Sequence, residues 1–174
     1  MIIVIRLSMT VGELTVFWRR FMKAVQLKDL VIQPALEKIE LYSPEAVALV
    51  LGTACVESQC GEFLRQYPNG PALGIFQIEM ATYEDLMKNY LDFRPELKAK
   101  VMALYCEGLD AGQNLTCNLM FQAAVCRIIY YRVTEKIPND LAGMAEYWKK
   151  YYNTRKGKGT PEKFITAFRQ YVKN

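Results

Sequence analysis

Residues 43 to 57 read Ser-Pro-Glu-Ala-Val-Ala-Leu-Val-Leu-Gly-Thr-Ala-Cys-Val-Glu, a stretch that can fold in few ways. Ser43 suits an N-cap, Pro44 the first helical position, and Glu45 the positive start of a helix. From Ala46 to Val56 no residue carries a charge. A helix apolar on every face is a buried one, so this segment is predicted as the central helix of the fold. It ends in Glu57. Burial disfavours the ionised carboxylate, as does the negative end of a helix, and both raise its pKa. A carboxylic acid held protonated near neutral pH can act as a general acid. The competing reading of Glu57 is a helix-end side chain that reaches solvent or pairs with an arginine.

Two later segments add to this one. Glu57-Ser58 leads through a polar loop, residues 59–70, into Gly74-Ile75-Phe76-Gln77-Ile78, and Tyr151-Tyr152-Asn153 follows much later with Gly157 and Gly159 just beyond. In order and spacing this resembles the lysozyme-like lytic transglycosylases of the goose-lysozyme superfamily. Their signature is a helix ending in Glu-Ser, a Gly-Leu-Met-Gln-Ile-type segment and a final Ala-Tyr-Asn-Ala-Gly segment. The resemblance covers roughly residues 43–160 and looks most like a branch from tailed-phage genomes. It implies a mainly α, lysozyme-like fold with about eight helices and at most one small β hairpin. It also implies cleavage of the glycosidic bond between N-acetylmuramic acid and N-acetylglucosamine in peptidoglycan.

The resemblance assigns roles. Glu57 matches the acid that protonates the glycosidic oxygen and then takes a proton from the sugar's 6-hydroxyl, closing a 1,6-anhydro ring. The match of Ser58 helps hold that carboxylate. Tyr152 and Asn153 match the Tyr-Asn of the last motif, where the Tyr lies beside the acid. Thr154 stands where the family has Ala, and Arg155-Lys156 delay the glycine, so Tyr151 competes with Tyr152 for that place. Gln77 lies between Phe76 and Ile78, and an alternating strand would turn it toward a groove, where its amide can donate and accept. Phe76 and Tyr83 are expected to pack in the core, with stacking on sugar faces the competing role for each. A hydrolase ordinarily needs a second carboxylate. Glu62, in the loop after the central helix, and Glu79, after the Gln77 segment, are the candidates.

Composition narrows the chemistry further. The 174 residues include no histidine, which removes Ser-His and Cys-His nucleophilic arrangements. There is no Cys-x-x-Cys pair and no Gly-rich phosphate loop, so no metal or cofactor is expected. The five cysteines, at 55, 60, 106, 117 and 126, have no framework spacing and read as small apolar residues rather than disulfides. A bridge between Cys55 and Cys60, which flank Glu57, is geometrically conceivable but disfavoured in a reducing compartment. The net charge of +4 is uneven, because residues 145–174 alone carry +6. That basic end, with Lys149, Lys150, Arg155, Lys156 and Lys158, suits attraction to an anionic wall; a solvated face is the alternative, and no nucleic-acid motif is present.

The chain reads as one domain of 174 residues: N-terminal helices over 1–42, a motif-bearing core over 43–160 and a C-terminal helix over 161–174. A capping box at Thr10–Glu13 opens an amphipathic helix whose stripe is Leu14, Phe17, Trp18, Phe21, Met22 and Val25. This stripe is expected to face the core, with membrane or virion docking as the alternative. Further helices are predicted at 34–41, 82–91, 95–107, from Leu115 to Arg132 with Asn114 as cap, from Pro138 to Asn153, and from Thr160 to the end. Gly74–Ile78 is expected to pair as a short strand. No window reaches the eighteen or so uncharged residues of a spanning helix, and the first residues lack a secretory pattern. The expectation is a protein made in the cytoplasm and delivered to the wall by a phage particle, a holin or lysis, with peptidoglycan strands as its partner and other virion or lysis proteins as further candidates. The competing readings are a true muramidase that adds water and a lysozyme-like wall-binding or virion protein without turnover.

Overall fold

A computed structural model describes residues 22–66, 68–154 and 157–172. These form eight helical runs and no sheet. The first, α1, runs through Ala24–Leu27, a π-helical stretch Lys28–Ile32 and Gln33–Lys38. Next come α2, Pro44–Ser58, and α3, Met80–Leu86 continued by the π stretch Met87–Leu91. Then follow α4, Pro95–Met102, α5, Ala111–Cys117, and α6, Leu119–Tyr131. Last are α7, Leu141–Trp148 continued by the π stretch Lys149–Asn153, and α8, Pro161–Val172.

The central helix forms as its residues require. Ser43 Oγ accepts the Ala46 N–H at 3.1 Å, and Pro44 occupies the first turn. Ala46, Leu49, Val50, Leu51, Ala54 and Cys55 are buried on all sides. The helices α1, α6, α7 and α8 pack around it. A fully buried Leu or Val side chain stabilises by about 1.5–3 kcal/mol, so this enclosure is a main source of the fold's stability. The fit is tightest at Gly52. A Cβ there would overlap the ring of Phe164 from α8. Phe164 is itself fully buried, and its ring centroid lies 5.5 Å from that of Trp148 on α7.

Several predicted boundaries shift, each for a physical reason. The helix expected to begin at Pro34 begins ten residues earlier, at Ala24. Pro34 cannot donate a hydrogen bond inside a helix, and the π widening at Lys28–Ile32 just before it lets the helix pass through. Lys23 is extended and Val25 is 50% exposed, so the N-terminal stripe does not continue through Val25 onto the core. Leu14, Phe17, Trp18 and Phe21 lie outside the described residues. The helix from Pro95 stops at Met102 rather than residue 107. Asn114 is not a cap: a capping box of Asp110 and Gln113 starts α5 earlier. Asn114 is instead fully buried, its amide donating to the carbonyls of Cys106 and Leu109 at 3.0 and 3.1 Å. Asn118 then breaks the chain and caps α6 through Phe121 N–H.

The segment Gly74–Gln77 is a tight turn, not a strand. Leu73 and Ile78 exchange backbone hydrogen bonds of 3.0 and 2.9 Å across it, and Leu73 also bridges to Arg65. The hairpin is reduced to isolated bridges because four residues are spent turning. Gly74 has φ +71, and a Cβ there would overlap the Leu115 carbonyl and the Gln122 side chain. The turn is pinned from α6, where buried Gln122 Oε1 accepts the Ile75 N–H at 2.8 Å. No described helix is long and apolar enough to cross a membrane.

The Gly52–Phe164 contact makes a test. At an ordinary helical site Gly→Ala stabilises by about 1 kcal/mol. Gly52→Ala should instead destabilise by about 1–3 kcal/mol through overpacking, read from the urea midpoint, and Phe164→Leu in the same chain should recover part of the loss.

Candidate active site

The C-terminal end of α2 opens into a cavity of about 770 Å³. Its walls come from four places. The end of α2 and the following loop supply Glu57, Gln59, Phe63 and Gln66; the hairpin supplies Ala72, Gln77 and Glu79; α7 supplies Trp148, Tyr152 and Asn153; and residues 157–159 with Lys163 close the remaining side. The structure therefore brings Glu57, Gln77, Glu79, Tyr152 and Asn153 together, though they lie up to 96 positions apart in the chain.

Glu57 is partly buried, and Trp148 Nε1 donates to its Oε1 at 3.1 Å. Burial lifts its pKa from the usual 4.5 to about 7, opposed in part by the Trp148 hydrogen bond. No arginine pairs with it among the described residues. With Oε1 engaged as an acceptor, Oε2 is the oxygen that can carry a proton into the cavity. Trp148 is the residue that sequence reasoning missed. Its signal was its spacing: it stands four residues before Tyr152, which places both on one face of a helix.

Tyr152 donates its hydroxyl to the Phe76 carbonyl at 2.7 Å. Its ring stacks on that of Tyr130 at 5.3 Å, and Tyr130 in turn bonds Thr53 of α2 at 2.7 Å. Burial raises the Tyr152 pKa well above 10, so it remains a neutral phenol. Tyr151 points elsewhere, packing edge-on against Tyr147 with Lys150 over its ring. Of the two tyrosines, Tyr152 is the one that lines the cavity.

Gln77 lines the cavity by a different route from the expected strand alternation. Its φ of 51° is left-handed, and its side-chain amide donates back to the Gly74 carbonyl at 2.7 Å. Its side-chain oxygen is left as the group able to accept. Phe76 is fully buried and contributes only its carbonyl, so it is not a sugar-stacking residue. Tyr83 is likewise core, packed edge-on against Phe121. Ser58 is buried, its hydroxyl donating to the Ala54 carbonyl at 3.1 Å and accepting from Gly61 N–H at 2.9 Å. It holds the turn after the helix rather than the carboxylate itself. That turn is conformationally costly: Gln59 and Cys60, both non-glycine, have φ of 54° and 60°. The thiols of Cys55 and Cys60 lie 3.6 Å apart and are free.

The two candidate second carboxylates part company. Glu62 is exposed and faces a separate pocket formed by residues 62–66 with Pro68 and Asn69. Glu79 is exposed but lines the Glu57 cavity.

The basic end is not a uniform free patch. Lys149 Nζ donates to Asn153 Oδ1, the Thr154 carbonyl and the Gly157 carbonyl at 2.9, 2.8 and 2.9 Å. All three of its protons are used inside the molecule. Asn153 Oδ1 also accepts the Gly159 N–H at 3.2 Å. Lys149 and Asn153 thus tie the cavity's far wall to α7. Lys150 pairs with Glu135 at 2.8 Å. Lys158 and Lys163 line the cavity, while Arg155 and Lys156 lie outside the described residues.

Comparison with protein-family models, with curated proteins and with solved structures gives no match to the chain.

Two tests follow from this geometry. A carboxyl whose folded pKa is about 7 and ordinary pKa 4.5 binds more protons folded than unfolded between those values, so its contribution to stability falls as pH rises through that window. Glu57→Gln should be near neutral at pH 4.5 and stabilising above pH 7 by up to ~3 kcal/mol. A stability loss at pH 8 on chemical denaturation would mean that the ionised carboxylate is a structural partner. Lys149→Met should lower stability by about 1–3 kcal/mol and speed hydrogen exchange at Gly159 selectively.

Proposed function

We propose that this protein is a peptidoglycan-cleaving lytic transglycosylase acting on the bond between N-acetylmuramic acid and N-acetylglucosamine, with Glu57 as its single acid and base. The observation that carries the reading is the placement of Glu57: a carboxyl with a pKa of about 7, at the end of an enclosed helix, facing a cavity of about 770 Å³. Near neutral pH a substantial fraction is protonated and can donate to a glycosidic oxygen, and the resulting carboxylate can then accept a proton. Because the substrate's own 6-hydroxyl closes the ring, no water needs to be positioned. Trp148 fixes the carboxyl's orientation. Tyr152, fixed by the Phe76 carbonyl, and Gln77 stand as neutral polar neighbours. The sequence resemblance adds the substrate class, a phage source and delivery to the wall from the cytoplasm.

One observation favours a second reading. Glu79 shares the cavity with Glu57, and two carboxylates across a groove are the arrangement of a hydrolase. In a muramidase of that kind Glu79 would activate a water or attack the sugar.

Mass spectrometry of peptidoglycan digested by the purified protein separates the two. The transglycosylase leaves 1,6-anhydromuramyl ends, and the hydrolase leaves ends heavier by one water. Glu57→Gln should lower the rate by about 10²–10⁴-fold, whereas Glu79→Gln should retain most activity. Because the first step needs the protonated acid, lysis should decline as pH rises through about 7. Predominantly hydrated ends with an inactive Glu79→Gln would establish the muramidase. No cleavage from folded protein on several peptidoglycan types would return the chain to a wall-binding role.

A further inference from the structure

A second cavity, of about 600 Å³, lies at the other end of the central helix. Ser43 and Glu57 are fourteen positions apart, so at 1.5 Å per residue they lie about 20 Å from each other along the helix. This cavity is walled by Arg127 of α6 together with Ser43, Glu45, Tyr131, Lys136 and Asn139.

Arg127 is only 9% exposed, an unusual state for a guanidinium without a counter-ion. Its Nε donates to the Leu41 carbonyl at 3.0 Å, and its Cζ lies 5.2 Å from the centre of the Tyr131 ring. Among the described residues it has no carboxylate partner and no acceptor for its two terminal nitrogens. Among the described residues the buried side-chain atom without a partner is Gln122 Nε2, so the Arg127 terminal nitrogens are not sealed in the core, and Arg127 lines the cavity. Desolvation displaces the Arg127 pKa downward, and no carboxylate is among the groups that oppose the shift. Two acids line the same cavity: Glu135, which is bonded to Lys150, and Glu45, which makes no ion pair among the described residues.

We propose that this cavity is a binding site for a compact oxyanion, a phosphate or a carboxylate, held by the free edge of the Arg127 guanidinium. A guanidinium edge presents two parallel N–H donors that match two oxygens of such a group. Lys136 adds a second positive charge at the rim. The first turn of α2 adds the positive end of a 15-residue helix and, at Glu45, a backbone N–H that the helix itself leaves unused. Ser43 Oγ accepts from Ala46 N–H, which leaves its proton to donate outward. The Tyr131 ring lies against the guanidinium, 5.2 Å from Cζ to ring centre, and leaves its edge as the part able to bond. The proposal is independent of the chemistry at Glu57.

The test is titration of the full chain with inorganic phosphate, glycerol 3-phosphate and acetate, each against chloride at matched ionic strength. The readouts are thermal midpoint and the ¹⁵N–¹H resonance of the Arg127 side chain. The expected result is a saturable shift with at least one oxyanion, absent with chloride. Saturation by the two phosphates alone assigns a phosphate ligand, by acetate alone a carboxylate, and by all three the shared chemistry. Arg127→Met should weaken binding by at least about tenfold, a difference of about 1.4 kcal/mol. Glu45→Gln should strengthen it by removing a like charge. If Arg127→Met does not fold, the resonance in the wild-type protein decides. No saturable shift beyond chloride, or equal affinity in folded Arg127→Met, overturns the site.

Discussion

The enclosure of α2 is the constraint on which the rest of the molecule depends. A helix with apolar residues on every face cannot lie on a surface. Here α1, α6, α7 and α8 are all recruited to cover it. The covering is close enough that one position admits no side chain at all: Gly52 lies beneath the Phe164 ring. Phe164 also lies against Trp148, whose indole N–H reaches Glu57. A single packing contact therefore sets the spacing between α2 and α8 and the position of the donor that orients the acid. Stability and site geometry share the same atoms.

The perturbed acid follows from the same enclosure. Desolvation is the larger influence on Glu57, and the Trp148 hydrogen bond works against it. A charged partner in place of Trp148 would have driven the carboxyl to ionise. A neutral donor orients it while leaving its proton within reach at physiological pH. Tyr152 behaves similarly. Its hydroxyl is occupied by the Phe76 carbonyl and its pKa is pushed up by burial, so it can shape the cavity without competing for the proton.

Much of this was legible in the sequence, and the limits of that legibility have physical causes. The central helix and its terminal acid were readable because polarity patterning over fifteen residues is a local property. Tyr152, Asn153 and Gln77 were readable as a group through motif order, and they do meet in one cavity, which Glu79, a candidate only as a second carboxylate, also lines. The strand at Gly74–Ile78 was misread because alternation over five residues cannot be told from a turn. What decides the turn is the absence of room for a Cβ at Gly74, created by Gln122 and Leu115 from distant positions. Phe76 packs in the core, the role preferred for it, and is lost as a substrate contact because the turn sends its ring inward. The split of α5 from α6 was hidden because Asn114 and Asn118 are both competent caps, and only the competing Asp110–Gln113 box decides between them. The structural part of Lys149 was hidden because a charge count does not show where a side chain's donors go, and here all three go to acceptors inside the molecule.

The two ends of α2 show how one element can serve opposite electrostatic ends. Aligned peptide dipoles favour an anion at the start of a helix and disfavour one at its finish. At the finish stands Glu57, where the dipole and desolvation both favour the neutral acid. At the start lies the Arg127 cavity, where the same dipole would add to the guanidinium in attracting an oxyanion. Enclosure strengthens both effects, since a helix sheathed in apolar side chains is poorly screened by water. The buried helix is thus the mechanical core of the fold and also a source of field. It favours the neutral acid at its C-terminal end and negative charge at its N-terminal end.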